Sequence, residues 1–175
     1  MRITISGPPG SGTTSLARYL AQKHGYRVIS AGEMFRALAQ ERGMSLAAFG
    51  ALAESDPSVD KQIDARQKET AEAADNIVAE GRLSGWMISN ADIRIWLTAS
   101  PECRIGRISS RDGEEEEAAR LHTEERQACE RTRYMTYYGI DIEDLSVYDL
   151  VLSSERWNVE GLGAIVDAAI DASLR

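Results

Sequence analysis

Cysteine is scarce in this chain: only Cys103 and Cys129 occur among 175 residues. Neither has a histidine or a second cysteine at ligand spacing, so no zinc site and no disulfide framework is encoded. The chain opens on Arg2-Ile3-Thr4-Ile5-Ser6 instead of a basic and then apolar leader, and a cytoplasmic protein is expected. No unbroken apolar run reaches membrane-spanning length, so no membrane partner is expected. Proline is rare as well, with 4 against 14 glycines and 43% hydrophobic residues, a balance that excludes collagen-like and disordered chains. A net charge of −8 removes the broad basic field that nucleic acid requires, and no nucleic-acid partner is expected. The length is too short for an eight-fold barrel or for two full-sized domains.

Lysine is scarce too. Lys23, Lys61 and Lys68 are the only ones, so nearly all positive charge is guanidinium, the planar fork that grips phosphate through two parallel hydrogen bonds.

What is present is alternation. Ile3–Ser6 reads as a strand, Gly7–Gly12 as a loop, and Leu16 and Leu20 mark one face of a helix closed by Gly25. Further strands are expected at Arg27–Ser30, Ile77–Ala79, Ile93–Leu97 and Leu150–Leu152. Helices are expected at Ala31–Glu41, Pro101–Ser110 and Val159–Leu174, with an acidic loop or helix start over Asp112–Glu117 and a long helix running on towards Tyr138. Ser45–Ala74 reads as a helical insertion broken at Ser55-Asp56-Pro57-Ser58. Five strands separated by helices predict an α/β fold, a five-stranded parallel sheet covered on both faces in an α/β/α arrangement. His24 and His122 have no acid or nucleophile pattern beside them and are expected at the surface.

The sharpest chemical signal is Gly7-Pro8-Pro9-Gly10-Ser11-Gly12-Thr13-Thr14, between the first strand and the first helix, where a phosphate-binding loop belongs. Its glycines let amide hydrogens converge on phosphate oxygens, the helix adds its positive end, and Thr14 offers a hydroxyl for magnesium. The strict motif fails at Thr13, where such loops carry a lysine. Substitute cations are available in Arg104, Arg107 and Arg111, whose spacing puts them on one helical face. Arg126, Glu130 and Arg133 repeat that geometry on the next helix, so two arginine-bearing helices flank the acidic segment and form a candidate lid. Two strand ends add a small or polar turn and an arginine each: Ser30 with Arg36, and Glu80-Gly81 with Arg82. Glu80 is a candidate magnesium ligand through water.

These segments resemble the nucleoside monophosphate kinases in order, and the archaeal-type cytidylate kinase family most closely. The likeness rests on the loop, Ser30–Arg36, Asp60–Gln67, Glu80-Gly81-Arg82, Thr98–Glu102, Tyr138–Asp141 and Tyr148–Val151, which together span nearly the whole chain. The resemblance implies a single P-loop kinase domain over 1–175, with a monophosphate-binding insertion near 43–75 and a lid near 104–134. It implies transfer of the γ-phosphoryl of ATP to CMP or dCMP with Mg2+, by a monomer. By similarity Gly7, Pro8, Pro9, Gly10, Ser11, Gly12, Thr13, Thr14 and Ser15 would hold ATP, and Ser30 and Arg36 the monophosphate. Arg82 would meet the pyrimidine end, Arg126, Glu130 and Arg133 the sugar and phosphates, and Arg107 and Arg111 the transferred group. Two alternatives stand beside this reading: a P-loop kinase for another small acceptor, and a nucleotide-binding switch or scaffold without turnover, suggested by Thr13.

Overall fold

The computed structural model describes residues 1–173, and within them a short apolar strand, β1 (Arg2–Ser6), is buried from Ile3 to Ser6 because sheet and helices cover it on every side. It leads through the glycine-rich turn into α1 (Thr13–His24), whose Leu16, Ala17, Leu20 and Ala21 form the buried stripe of a 3.6-residue period. Gly25 ends that helix in the left-handed conformation at φ 69°. The chain continues through β2 (Arg27–Ser30) and α2 (Ala31–Glu41), which is capped by the Ser30 hydroxyl accepting from the Glu33 amide.

The expected helical insertion is two helices, α3 (Leu46–Ser55) and α4 (Pro57–Ala73), separated at Asp56, which caps α4 ahead of a first-turn proline. Phe49 and Ala53 of α3 pack against Val59 and Ile63 of α4 and Ala39 of α2, a small core of its own.

β3 (Ile77–Glu80) extends one residue beyond the expected strand and is buried throughout. The one-turn helix α5 (Ser84–Met87) was not expected, since four residues are too few to display a period. β4 (Ile93–Thr98) leads to α6 (Pro101–Asp112), capped by Ser100, and then to α7 (Glu116–Tyr138). Gly113 at φ 69° closes α6, so the acidic segment divides between the two helices instead of forming a long loop. Ile105 and Ile108 of α6 pack on Ala119 of α7. β5 (Leu150–Ser153) and α8 (Val159–Ser173) complete the chain; Leu174, the expected last residue of that helix, lies outside the described residues.

The strands are all parallel, in the order β2-β3-β1-β4-β5. The main core joins Ile3, Ile5, Ile95 and Leu97 of the sheet to Leu16 and Leu20 of α1 and Leu162 and Val166 of α8. From β1 the chain first builds the β3–β2 side and afterwards the β4–β5 side, so the crevice at the carboxyl end of β1 is where this topology places a ligand. No helix among the described residues is long and apolar enough to cross a membrane.

Candidate active site

The loop after β1 takes its shape from two glycines with positive φ, Gly10 at 79° and Gly12 at 90°. A Cβ at Gly10 would lie 2.6 Å from the carbonyl oxygen of Arg104, so α6 itself presses on the loop there. Ser11 N–H donates to Pro8 O at 3.1 Å, closing the turn. Gly12 stands at the N-cap of α1 without a side-chain cap, and the first turn holds no acid, so the amide hydrogens and positive end of the helix are open to an anion.

Three guanidinium groups grip the outer, carbonyl side of this loop. Arg82 Nη1 donates to Gly7 O, Arg104 Nη1 to Pro9 O (3.1 Å), and Arg107 Nη1 to Gly10 O (3.3 Å). Arg104 is buried, also donates to Gln127 Oε1 on α7 at 3.0 Å, and has its pKa lowered by burial and by the neighbouring Arg82 charge. Arg107 reaches the loop from the rim and is steadied by Ser154, whose hydroxyl and carbonyl accept at 2.9 and 2.7 Å. Arg111 does not join them. Two turns beyond Arg104, its side chain is 67% exposed and paired with Asp112 at 2.6 Å.

At the opposite side of the loop, Glu80 ends β3 with its carboxylate buried, 5% exposed. Three hydroxyls donate to it: Thr13 (3.0 Å), Thr14 (3.3 Å) and Ser30. Among the described residues no cation balances this charge. Thr13, where lysine was expected, thus serves the acid with a hydroxyl. One carboxylate and adjacent hydroxyls are hard oxygen donors that suit a small divalent cation shared with phosphates. No group of three or more His, Cys, Asp or Glu side chains able to cage a metal occurs among the described residues.

Behind α5, Gln67 of α4 ties the strand ends together. Its amide donates to Glu80 O at 2.8 Å and its carbonyl accepts from the Ser84 hydroxyl at 2.8 Å.

Arg82 turns its other edge to α7, where Nε donates to Glu130 Oε2 at 2.5 Å while Arg126 Nε donates to Oε1 at 2.7 Å. Burial pushes the Glu130 carboxyl up, but the Arg82 and Arg126 charges prevail and hold it at about 2. One turn further, Arg133 Nε lies 2.9 Å from Asp60 Oδ2 on α4. Tyr138 donates to Asp64 Oδ2 at 2.7 Å, and burial lifts the Asp64 carboxyl to about 6 despite that bond.

The structure therefore brings Gly7–Thr14, Glu80, Ser30, Arg82, Arg104 and Arg107 around one loop, with Glu130, Arg126 and Arg133 extending from it along α7. Ser15 is exposed on the first turn of α1, and Arg36 is exposed on α2 with its Nη1 beside Gly32. Asp60, Asp64 and Gln67 lie in a segment that carries the resemblance but received no individual role, and Ser154 was not singled out. Asp60 and Gln67 lie on the buried stripe of α4 with Asp64 half-buried beside it, polar positions that a charged helix does not mark in sequence, and Ser154 sits in an unpatterned turn. His122 is exposed as expected, whereas His24 is half-buried with Nε2 2.7 Å from Asp167 Oδ1, because α8 packs over the end of α1.

Residues 2–156 match the model of the cytidylate kinase-like family. The chain belongs to that family. Curated relatives named cytidylate kinase include one from Methanoculleus marisnigri, 69% identical over 97% of this chain and 94% of its own. One from Methanocorpusculum labreanum is 59% identical over 100% and 99%, and one from Archaeoglobus fulgidus 46% over 98% and 95%. Among solved structures, a shikimate kinase from Bacteroides thetaiotaomicron superposes with a TM-score of 0.64 at 13% identity, covering 98% of both chains. An uncharacterized protein from Eubacterium ventriosum gives 0.73 at 17%, again over 98% of both. At such identities these last two share the fold alone.

Proposed function

We propose that this member of the family transfers the γ-phosphoryl of ATP to CMP or dCMP, giving ADP and CDP or dCDP. The observation that carries the reading is the loop itself: open amide hydrogens on one side, three arginines on its carbonyls, and a buried, cation-free carboxylate beside it. The names of the full-length relatives support the acceptor and disfavour a non-catalytic switch.

In this reading Gly7–Ser15 cup the triphosphate through main-chain N–H groups. Thr14 and Glu80 would hold Mg2+, which when bound neutralises charge on the β and γ phosphates. Arg104 and Arg107, now on the loop carbonyls, would take the place of a lysine by exchanging a carbonyl for a phosphate oxygen, a charge-assisted and therefore stronger partner. Arg82, assigned by resemblance to the pyrimidine end, would in this reading also serve the phosphates through its bond to the first residue of the loop. Ser30, Arg36, Arg126, Glu130 and Arg133 line the acceptor side, with 43–75 as the acceptor-binding insertion. Segment 104–134 acts as the lid that excludes water, a competing acceptor. Magnesium dependence, a monomeric state and a cytoplasmic location complete the proposal.

A coupled ADP-release assay over CMP, dCMP, UMP and AMP tests it. ADP formation that depends on CMP or dCMP is expected; none with any pyrimidine monophosphate would overturn it.

A further inference from the structure

One side chain stands at the joint between the helical insertion and the sheet. Along the buried stripe of α4, Ile63 packs in the small core that α2, α3 and α4 make among themselves, whereas Ala71 packs in another, with Ile29 of β2 and Ile77 and Ala79 of β3. Gln67 lies one turn from each, a polar residue between two apolar ones. It is 2% exposed, and both ends of its amide are occupied. Nε2 donates to Glu80 O at 2.8 Å and to Ile29 O at 3.4 Å, and Oε1 accepts from the Ser84 hydroxyl at 2.8 Å. Carbonyl oxygens only accept, so the amide fits in one orientation. A Cβ on Gly81 would lie 2.7 Å from Ala31 Cβ and 3.5 Å from Gln67 Nε2, which shows how closely the chain packs around it.

The three partners are the roots of the site. Glu80 carries the carboxylate that gathers the Thr13, Thr14 and Ser30 hydroxyls, Ile29 precedes Ser30, and Ser84 begins α5 just after Arg82. Core packing alone does not call for an amide here. An aliphatic side chain would fill a similar volume and take this partner from two strand-end carbonyls and a buried hydroxyl.

We infer that Gln67 is a positioning residue for phosphoryl transfer, holding the Glu80 carboxylate at the spacing that magnesium requires and tying that spacing to the root of the insertion. This rests on the reading of Glu80 as the metal acid. Gln67 acts through the main chain of Glu80, as the outer partners of metal ligands do when they fix a ligand's direction. Because α4 also carries the insertion core, a shift of the insertion is transmitted to the metal acid through this one amide.

The test uses the whole chain and two readouts: ADP release with CMP, and calorimetric titration of ADP with Mg2+ and with a chelator, which needs no turnover. Gln67→Leu is expected to lower kcat about tenfold or more and to cut the gain in ADP affinity from Mg2+ at least threefold, with the metal-free affinity within threefold of the wild type. Gln67→Glu keeps the acceptor for Ser84 but sets a carboxylate oxygen against two carbonyls, and protonation restores a donor. Its rate relative to the wild type is expected to rise at least threefold from pH 8 to pH 6. A merely structural amide would lower the melting temperature of Gln67→Leu and leave both readouts in place, so a folded Gln67→Leu with kcat and magnesium gain within threefold of the wild type overturns the inference. So does a Gln67→Glu protein whose relative rate is flat between the two pH values. A wild-type chain whose ADP affinity gains nothing from Mg2+ would instead overturn the metal reading of Glu80. Absence of turnover with CMP, dCMP and UMP would overturn the functional reading, and calorimetry would still decide the hold of Gln67 on the metal.

Discussion

Arg82 Nε donates to Glu130 Oε2 at 2.5 Å, with the two side chains 12% and 5% exposed, so the turn after β3 is fastened to the middle of α7 by a buried ion pair. The same guanidinium bonds Gly7 O, which makes one side chain the link between the phosphate loop and the helix that carries the acceptor-side arginines. Removing one partner of such a pair leaves an uncompensated buried charge, the costly case among salt bridges.

Acid stability should report this pair. The folded Glu130 pKa, about 2, lies below its ordinary 4.5, so its stabilisation is complete above about pH 5 and disappears as pH falls towards 2. The shift corresponds to on the order of 3 kcal/mol. Glu130→Gln is expected to lower stability at pH 7 and to flatten the acid limb of a urea-midpoint curve between pH 5 and 2; an unchanged limb would show that the pair does not carry it.

Asp64 has the opposite sign. Burial raises its folded pKa to about 6 from 3.8, so its contribution favours the folded state below pH 4 and is lost as pH rises through 6. Asp64→Asn keeps an acceptor for the Tyr138 hydroxyl and is expected to stabilise the chain by about 1–2 kcal/mol at pH 8, and by much less at pH 4. Thermal melts at the two pH values decide it.

The arginines around the loop should not be equivalent. Arg104→Ala and Arg107→Ala, which remove groups bonded to Pro9 O and Gly10 O, are each expected to lower kcat by about 10²-fold. Arg111→Ala removes a side chain held by Asp112 in solvent and should cost less than either. Losses under tenfold for both Arg104 and Arg107 would discard their role in place of lysine.

Glu80→Gln preserves the shape of the hydroxyl cluster and removes its charge. It should raise the Mg2+ concentration for half-maximal rate at least tenfold while leaving the melting temperature within a few degrees. An unaltered magnesium dependence would remove Glu80 from the metal site.

Gly10→Ala places a Cβ 2.6 Å from the Arg104 carbonyl at a φ of 79°. Both the contact and the conformation are unfavourable, so loss of ATP binding measured by calorimetry, with a destabilisation of about 1–3 kcal/mol, is expected.

The alternation of short apolar strands with 3.6-period helices sufficed to indicate an α/β fold with a five-stranded parallel sheet, because those periods are local properties of the chain. The loop was legible for the same reason: its glycines, the preceding strand and the following helix are contiguous. One-turn α5 was not, since so short a helix is stabilised by its neighbours and carries no pattern. Arg104, Arg107 and Arg111 look equivalent along their helix, and only the distance of the loop from each turn of α6 separates the first two from the third. The acids of α4 were hidden for a different reason. In sequence, Asp60, Asp64 and Gln67 are polar residues in a charged helix, and nothing local reveals that α7 meets the first two and the strand ends the third.

What the amino-acid order determined alone is therefore the set of elements, the place of the anion-binding turn and the family. Partner choice among the charged side chains across elements was left to tertiary structure: Glu80 with three hydroxyls, Glu130 with Arg82, Asp60 with Arg133. The physical reason is distance. Helix and strand formation depends on residues a few positions apart, whereas the energy of a buried charge depends on groups some 50 to 75 positions away that only folding brings within hydrogen-bond reach.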